Sequence, residues 1–316
     1  MVLTKIDDAM PLIGHIELTN KCNLNCTICA NRFMTRQRND MEWDVYTHII
    51  RKLAGAGVRQ IIFNTIGETL LYPRLSEAVA VAKKLGFYTM VSTNGQNLTE
   101  DIAASLFKEK CDLLRVSIQG TSEEEYEKIH IGGRFDNLLA NVYRLKSLRA
   151  LYNSKTAVRI RSVLSVEMSD EEIAKFLSFW KEYVDQVEFM PFGNMGGQNG
   201  GLAVDDARRV PCATMWRGIN ILLDGSVSYC PCDFNGQFVV GSLLCSTLED
   251  IWNNQTFTAI RRKHKMLDFQ SLPFCDKCSA TRKVWYEKKI PSTTKTEDDI
   301  MDLYFDNDLR NYNSKA

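Results

Sequence analysis

Short apolar segments alternate with longer amphipathic segments through the first two thirds of the chain. Each short segment is rich in β-branched residues, which is typical of a buried strand, and each longer one repeats apolar residues at helical spacing. This alternation predicts a parallel sheet with helices on its outer face. We predict strands at residues 12–18, 59–64, 88–92, 113–118, 156–166 and 186–190, and helices at residues 43–53, 75–85, 99–108, 135–151 and 170–183.

Local signals mark several of the helix ends. Thr99 precedes one helix as an N-cap, and Ser122 with Glu125 has the spacing of a capping box for a short acidic helix. Eight strand–helix units would make a full TIM barrel. With six, the predicted fold is α/β, an incomplete (β/α)6 TIM-type barrel, and functional residues of such barrels lie at the carboxyl ends of the strands.

The composition favours a globular protein of one large domain, or one with a small satellite. Apolar residues make up 45% of the 316 residues, and 39 basic residues balance 39 acidic residues. The zero net charge gives no electrostatic basis for binding nucleic acid or an anionic membrane. Because we find no signal peptide and no apolar run of transmembrane length, we expect a cytoplasmic protein. Ten cysteines in such a protein favour metal binding or catalysis over disulfides.

Three of the cysteines lie together just after the first predicted strand. Cys22, Cys26 and Cys29 have the spacing C-x3-C-x2-C, and three thiolates on one loop suit an iron–sulfur cluster. Three protein ligands leave one iron of a four-iron cluster open, and an open iron can bind and activate another molecule. A zinc knuckle or three buried thiols are the alternatives that the spacing alone leaves open.

This spacing resembles the defining motif of the radical S-adenosylmethionine (SAM) superfamily. The resemblance implies that SAM chelates the open iron of a [4Fe-4S] cluster held by Cys22, Cys26 and Cys29. An electron from the cluster would then cleave SAM to a 5′-deoxyadenosyl radical. The resemblance also implies a partial-barrel core and an electron donor such as flavodoxin or ferredoxin. Ile28 stands where the family usually has an aromatic residue near the adenine ring.

Three further segments at predicted strand ends resemble SAM-binding segments of this family. Gly67 and Glu68 match the end of a Gly-Gly-Glu segment that holds the SAM amino group, with Ile66 in place of the first glycine. Carboxylate and carbonyl oxygens are acceptors for an ammonium group. Ordinary turns between strand and helix are the alternative for all three segments. In the other two segments, the resemblance implies that SAM or substrate contacts Ser92, Asn94, Ser117 and Gln119.

Arginines are the candidate substrate contacts. Arg134 opens a predicted helix, where a guanidinium and the helix N-terminus together favour an anion. Arg159 and Arg161 alternate on the fifth strand, so they point the same way and could bind a carboxylate or phosphate. A loop feeding the helix, and salt bridges for the strand arginines, are the alternatives. His15 and Glu17 also share a strand face, although a buried core histidine is favoured for His15.

A second cysteine group follows a glycine-rich connector at residues 192–201, which we interpret as a domain linker. Asp224 and Gly225 predict the tight turn of a β-hairpin, and residues 248–261 predict a helix. This region resembles the SPASM/twitch extension of radical SAM enzymes, which binds one auxiliary [4Fe-4S] cluster. Zinc would satisfy the same thiolates. The resemblance rests on four cysteines, Cys212, Cys230, Cys275 and Cys278, and leaves Cys232 and Cys245 spare.

These observations divide the chain into three predicted parts. Residues 1–205 form the radical SAM core, residues 206–290 a small cysteine-rich α+β SPASM/twitch domain, and residues 291–316 a polar tail. Four protein ligands leave no open iron in the auxiliary cluster, so we expect that cluster to pass or accept an electron.

The predicted activity is removal of a hydrogen atom from a carbinol carbon of a small polyhydroxylated substrate: a sugar, nucleotide sugar or aminocyclitol. Loss of a proton and an electron would then give a ketone, as the resemblance to the twitch-type aminocyclitol dehydrogenase implies. Return of a hydrogen atom from Cys245 would instead give epimerisation. A maturase that modifies a peptide is the alternative within the family. It is disfavoured because only about twenty residues precede the first cysteine, too few for an added peptide-recognition domain. A zinc-binding structural protein is the alternative of another class.

Overall fold

The computed structural model describes residues 10–164, 168–198 and 209–281, and it confirms the partial barrel. Six parallel strands follow the order β6-β5-β4-β3-β2-β1 across the sheet. They are β1 (Ile13–Ile16), β2 (Gln60–Phe63), β3 (Tyr88–Thr93), β4 (Leu113–Ser117), β5 (Ala157–Leu164) and β6 (Gln186–Pro191). The helices are α1 (Trp43–Gly55), α2 (Leu75–Lys84), α3 (Glu100–Lys108), α4 (Glu123–Ile129), α5 (Phe135–Leu151) and α6 (Asp170–Trp180).

Side chains on the strands alternate between the helices and the barrel interior. Ile16, Phe63 and Val91 face outward and are fully buried in the main core, where each contributes about 2 kcal/mol. The inward face begins with a separate apolar cluster at the amino ends of the strands. Polar inward residues therefore lie above an apolar floor. That floor consists of Ile13, Ile62, Met90 and Leu113.

The cysteine-rich region continues the barrel sheet. β7 (Gly218–Ile221) pairs in parallel with β1, and β8 (Ser226–Ser228) and β9 (Val239–Ser242) add antiparallel strands beyond it. The predicted hairpin is confirmed, with Gly225 at φ +80° in its turn. One nine-stranded sheet in the described residues thus connects both cysteine groups. The helices of this region are α7 (Thr214–Arg217), α8 (Leu248–Trp252), α9 (Gln255–Lys265) and α10 (Pro273–Asp276).

Two local predictions need correction. The helix predicted at residues 248–261 is two helices, because the Asn254 side chain accepts the N–H of Phe257 at 2.8 Å and starts α9 anew. The predicted capping box is half formed. Ser122 accepts the N–H of Glu125, but the Glu125 carboxylate binds Thr121 instead.

The first part of the glycine-rich connector packs against the second cysteine group. Asn194 accepts the N–H of Ser279 at 2.8 Å and donates to the carbonyl of Lys277 at 2.7 Å. Gly196 has φ +71°, and a Cβ there would lie 2.4 Å from the Phe274 ring. The rest of the connector and the predicted tail lie outside the described residues. Within the described ranges, no helix is both long and apolar enough to span a bilayer.

Candidate functional site

The three-cysteine loop lies at the carboxyl end of β1, as predicted, and hydrogen bonds from other strand ends hold it in place. The N–H groups of Asn25 and Thr27 donate to the carbonyls of Ile131 and Ile129, both at 2.9 Å. The Asn94 amide, just beyond β3, donates to the Asn23 side chain at 2.8 Å. The loop between β1 and α1 is therefore fixed to the segments that follow β3 and α4.

The three thiols of this loop lie close enough to affect one another. Burial and the charges of Cys29 and Cys22 raise the pKa of Cys26 to about 12. Burial likewise raises the pKa of Cys22 and of Cys29. Two sulfurs already have hydrogen-bond partners: the Asn31 N–H lies 3.4 Å from Cys29 Sγ, and His130 Nδ1 lies 3.3 Å from Cys26 Sγ. Protonated thiols crowded in this way would be deprotonated by a bound cation, so the donor set fits an iron cluster.

Glu68 is buried beside this loop and joins the ends of β2 and β3. Its carboxylate accepts hydrogen bonds from the hydroxyl of Thr93 and the N–H of Asn94, both at 2.7 Å, and from the N–H of Leu70 at 3.0 Å. Burial raises the pKa of Glu68, and these hydrogen bonds act against the rise. Its charge reaches the thiols, since it raises the pKa of Cys22 and Cys26. A carboxylate has about four lone-pair sites, so three donors leave Glu68 able to accept one more hydrogen bond.

Gly67 cannot carry a side chain. A Cβ at this position would lie 2.2 Å from the carbonyl oxygen of Thr19, and the N–H of Glu68 donates to the carbonyl of Lys21 at 2.7 Å. The segment after β2 therefore lies directly on the backbone that leads into the three-cysteine loop.

The remaining predicted SAM contacts lie around the same loop or the barrel interior. Ile28 is half-buried on the loop itself. Asn94 is buried and bonded to the loop through Asn23, whereas the Ser92 hydroxyl accepts a hydrogen bond from Arg115 at 2.7 Å. Ser117 ends β4 opposite Arg161, and Gln119 is buried beside His130.

The barrel interior carries a charged cluster above its apolar floor. Arg159 is fully buried, donating to Gln186 at 2.6 Å and to Glu188 at 3.2 Å, and Arg161 also pairs with Glu188. Burial alone would raise the pKa of Glu188, but Arg161, Arg159 and Arg115 outweigh it and lower that pKa. Both predicted strand arginines thus face the interior, as expected, and both form the salt bridges that were the alternative.

His15 shares this interior. Its Nδ1 lies 3.2 Å from the side-chain oxygen of Asn64. Burial, with the charges of Arg115 and Arg161 adding to it, lowers the pKa of His15 to about 4, so the ring is neutral at physiological pH.

Arg134 does not fit the predicted anion site. Its side chain is 62% exposed and interacts with Glu127 and Asp136, each at 3.6 Å, and with Glu123 at 4.0 Å. Its guanidinium is therefore surrounded by carboxylates at the surface, and only its backbone holds the Gln96 side chain near the three-cysteine loop.

The second thiol group draws its members from separate segments. Burial, together with the charges of Cys212 and Cys232, raises the pKa of Cys275 and Cys278 to about 12. Cys232 therefore lies within this group, although the sequence suggested that it was spare. The pKa of Cys230 is also raised. Its hydrogen bond with Cys232 is the larger cause, and burial is the second.

A single metal ion is not the best fit to either thiol group. Four sulfurs bound to one zinc at about 2.3 Å would lie within about 4 Å of one another. Among the residues that the structure describes, no three His, Cys, Asp or Glu side chains converge in a way that could hold one ion. This spacing of the thiols favours a multi-iron cluster over the zinc alternative.

A buried ion pair connects the two thiol regions. Arg36 donates to both carboxylate oxygens of Glu17, at 2.8 and 2.6 Å, and to the carbonyl of Phe234 at 2.8 Å. Glu17 also accepts the N–H of Leu223 at 3.2 Å. Arg36 follows the three-cysteine loop, and Phe234 follows Cys232, so this pair fixes one region against the other.

Cys245 lies on the helix side of the sheet, outside the barrel interior where a hydrogen donor would act. It is exposed, and the carbonyls beside it, of Leu243 and Ser246, accept hydrogen bonds from Lys52 at 2.6 and 3.0 Å. Lys52 lies in α1, which packs on the outer face of the sheet together with Leu243. The barrel interior lies on the opposite face of the sheet, so this position argues against the predicted role of Cys245.

Sequence reasoning missed several residues that the fold brings to the site. His130 is the C-cap of α4, and nothing in its neighbours indicates that it meets Cys26. The sequence around Arg36 and Arg115 likewise gives no sign that either residue lies near the site. Glu188 could have been found, because it alternates with Gln186 on the strand beside Arg159 and Arg161.

Comparison with protein families gives two matches. The model described as the radical SAM superfamily matches residues 16–180, just over half of the chain. The model described as an iron-sulfur cluster-binding domain, named SPASM, matches residues 212–279. These matches imply SAM and [4Fe-4S] clusters as cofactors.

Two curated proteins that are similar in sequence to this chain have different activities from each other. The GTP 3′,8-cyclase of Chlorobaculum tepidum is 30% identical over 177 residues, 55% of this chain and 52% of the cyclase. The PqqA peptide cyclase of Gluconobacter oxydans is 32% identical over 114 residues, 36% of this chain and 32% of that protein. This chain thus spans about half, or less, of the length of these curated relatives.

Two solved structures share the fold. SuiB of Streptococcus suis, bound to its precursor peptide SuiA, has a TM-score of 0.67 at 16% identity, covering 89% of this chain and 72% of that one. BtrN, in complex with AdoMet and 2-DOIA, has a TM-score of 0.59 at 20% identity, covering 86% of this chain and 94% of that one.

Proposed function

Because the chain belongs to the radical SAM superfamily and its cofactors are SAM and [4Fe-4S] clusters, we propose that it is a maturase that removes a hydrogen atom from a residue of a peptide substrate. The observation that carries the chemistry is the three-thiol loop held beside buried Glu68 at the carboxyl ends of β1 to β3. The peptide substrate is supported by the PqqA peptide cyclase and by SuiB with its precursor peptide.

In this proposal Cys22, Cys26 and Cys29 hold the SAM-binding cluster. When cluster and SAM are bound, they supply a 5′-deoxyadenosyl radical that abstracts hydrogen from the substrate. Glu68 offers its remaining acceptor site to the SAM ammonium group, and its three existing hydrogen bonds keep the carboxylate in place. Gly67 lets the backbone approach closely enough to put that carboxylate beside the thiols.

The second thiol group holds the auxiliary cluster through Cys212, Cys230, Cys275 and Cys278. Four thiolates leave no open iron, so these residues favour passing an electron over binding the substrate. The Glu17–Arg36 pair keeps the two cluster regions at a fixed separation, which electron transfer between them requires.

The charged interior supports a second candidate, the small polyhydroxylated substrate. Arg159, Arg161 and Glu188 can exchange hydrogen bonds with a compact polar molecule inside the barrel. Oxidation of a carbinol carbon to a ketone would use the same two clusters, whereas the position of Cys245 disfavours epimerisation through that residue.

One experiment separates the two substrates. A lysate from cells grown in deuterated medium is divided by size into peptide and small-molecule fractions, and each is incubated with unlabelled SAM, dithionite and the enzyme. We expect deuterium in 5′-deoxyadenosine from the peptide fraction, and its loss after protease treatment of that fraction. Transfer from the protease-resistant small-molecule fraction would support the second candidate and contradict the first.

We also propose a cytoplasmic location. All ten cysteines are free thiols, which is expected where disulfides do not persist.

A further inference from the structure

His130 lies beside one thiol of the SAM-binding loop. Its Nδ1 is 3.3 Å from Cys26 Sγ, and the residue is only 3% exposed. The contact lies between the two backbone hydrogen bonds of the loop, from Asn25 to Ile131 and from Thr27 to Ile129. Since Cys26 and His130 are the residues enclosed by those bonds, the backbone itself aligns them.

The hydrogen-bond pattern assigns the proton of the ring. The N–H of Gln119 donates to His130 Nε2 at 3.2 Å, so Nε2 is an acceptor and carries no proton. A neutral imidazole then has its proton on Nδ1, which is the atom facing the sulfur. His130 is thus a donor to Cys26.

The ring orientation is fixed from two further sides. Tyr126 stacks on His130 with ring centroids 4.3 Å apart, and its hydroxyl accepts from the Gln96 amide at 3.0 Å. A Cβ at Gly133 would lie 3.0 Å from the Tyr126 ring, so the small residue there leaves room for the stack.

We propose that His130 donates an N–H···S hydrogen bond to the Cys26 thiolate and thereby raises the reduction potential of the SAM-binding cluster. Reduction adds negative charge that the thiolate sulfurs share, and a hydrogen bond to a sulfur stabilises the more negative state. The residue acts through Cys26, so it is a positioning residue that tunes the cluster. The Cys29 sulfur accepts its hydrogen bond from the backbone N–H of Asn31. The hydrogen bond from His130 to Cys26 is therefore the one that a side-chain substitution can remove.

Three substitutions separate the donor from the rest of the histidine. His130→Asn keeps an N–H at the position of Nδ1 but loses the acceptor for Gln119. His130→Gln keeps an acceptor for Gln119 but loses the donor to Cys26. His130→Leu has nearly the shape of asparagine and loses both.

The measurement is an EPR-monitored redox titration of the full chain, prepared anaerobically with matched iron and sulfide content. The SAM-binding cluster is the one whose signal changes when SAM is added. We expect His130→Leu and His130→Gln to lower its reduced-to-oxidised ratio at a fixed potential about tenfold, a shift of about 59 mV to more negative values. His130→Asn should stay within about twofold of the unmodified protein.

Equal potentials in all variants would overturn the proposal, as would an asparagine variant that shifts as far as the leucine variant. If the leucine variant fails to load iron, the comparison of glutamine with asparagine decides. The proposal rests on Cys26 as a cluster ligand. A Cys26→Ala protein with unchanged iron content would refute that assignment, whereas unchanged potentials with Cys26 required for iron would refute the role of His130 alone.

Discussion

The two thiol groups differ in how the chain builds them. Cys22, Cys26 and Cys29 lie on one loop, so a short spacing specifies them and the fold only has to hold that loop in place. The second group is assembled from the residues before α7, the residues after β8, and α10 with the turn that follows it, which meet only after the sheet has formed.

Their surroundings differ as well. The thiols of the first group are all half-buried and border Glu68, which retains an unused acceptor position. In the second group Cys230, Cys275 and Cys278 are buried, and a fifth thiol, Cys232, lies among them. The first group is built to admit a further ligand, and the second to enclose its cluster.

The largest effect that would separate the two groups is expected from Cys230→Ala. The variant should lose the auxiliary cluster, so that iron falls from about eight to about four atoms per chain, while SAM cleavage continues and substrate oxidation stops. Iron analysis and the ratio of 5′-deoxyadenosine to product measure this. Cys232→Ala is the matched control. If it loses the iron and Cys230→Ala does not, the assignment of ligands is wrong.

The connection between the groups is tested by Arg36→Ala. Removing the guanidinium leaves Glu17, which is fully buried, without its ion pair, so the free energy of unfolding should fall by about 3 kcal/mol. Anaerobic denaturant titration measures the change. Arg32→Ala removes an exposed arginine four residues earlier and should change stability by less than about 0.5 kcal/mol. Equal effects of the two substitutions would show that the pair does not hold the regions together.

A smaller effect is expected from pH at the second thiol group. Burial lowers the pKa of His264, which accepts the N–H of Cys212, from 6.5 to about 4. The unfolded chain therefore binds a proton below pH 6.5 that the folded chain does not, and stability falls as pH decreases toward 4. Between pH 7 and 5.5 this residue should account for about 1 kcal/mol. In His264→Phe, the loss of unfolding free energy between pH 7 and 5.5 should therefore be smaller by about 1 kcal/mol, as measured by unfolding titrations at the two pH values. The exposed His48→Gln should keep the full slope, and an unchanged slope in His264→Phe would contradict the assignment.

The smallest effect is expected from Cys245→Ala. Because its neighbours are bonded to Lys52 of α1 on the outer side of the sheet, the substitution should leave SAM cleavage, product formation and iron content unchanged. Product loss with continued SAM cleavage would restore the hydrogen-donor hypothesis.

The same contrast explains what the sequence could predict. Apolar periodicity located all six barrel strands, and local spacing located the three-cysteine loop, because both depend on residues that are close in the chain. The contacts between Cys26 and His130 and between Glu17 and Arg36 were not predicted, since each depends on how separate segments meet. The pairing of β7 with β1 was missed for the same reason. The prediction of an anion site at Arg134 did not take account of the neighbouring carboxylates that pair with its guanidinium.

The central claim is that the first thiol group leaves one iron open to SAM, and Cys26→Ala tests it most directly. The account predicts that this variant loses about four of about eight iron atoms and makes no 5′-deoxyadenosine with SAM and dithionite, whereas Cys245→Ala makes it normally. Formation of 5′-deoxyadenosine by Cys26→Ala at the unmodified rate would contradict the account.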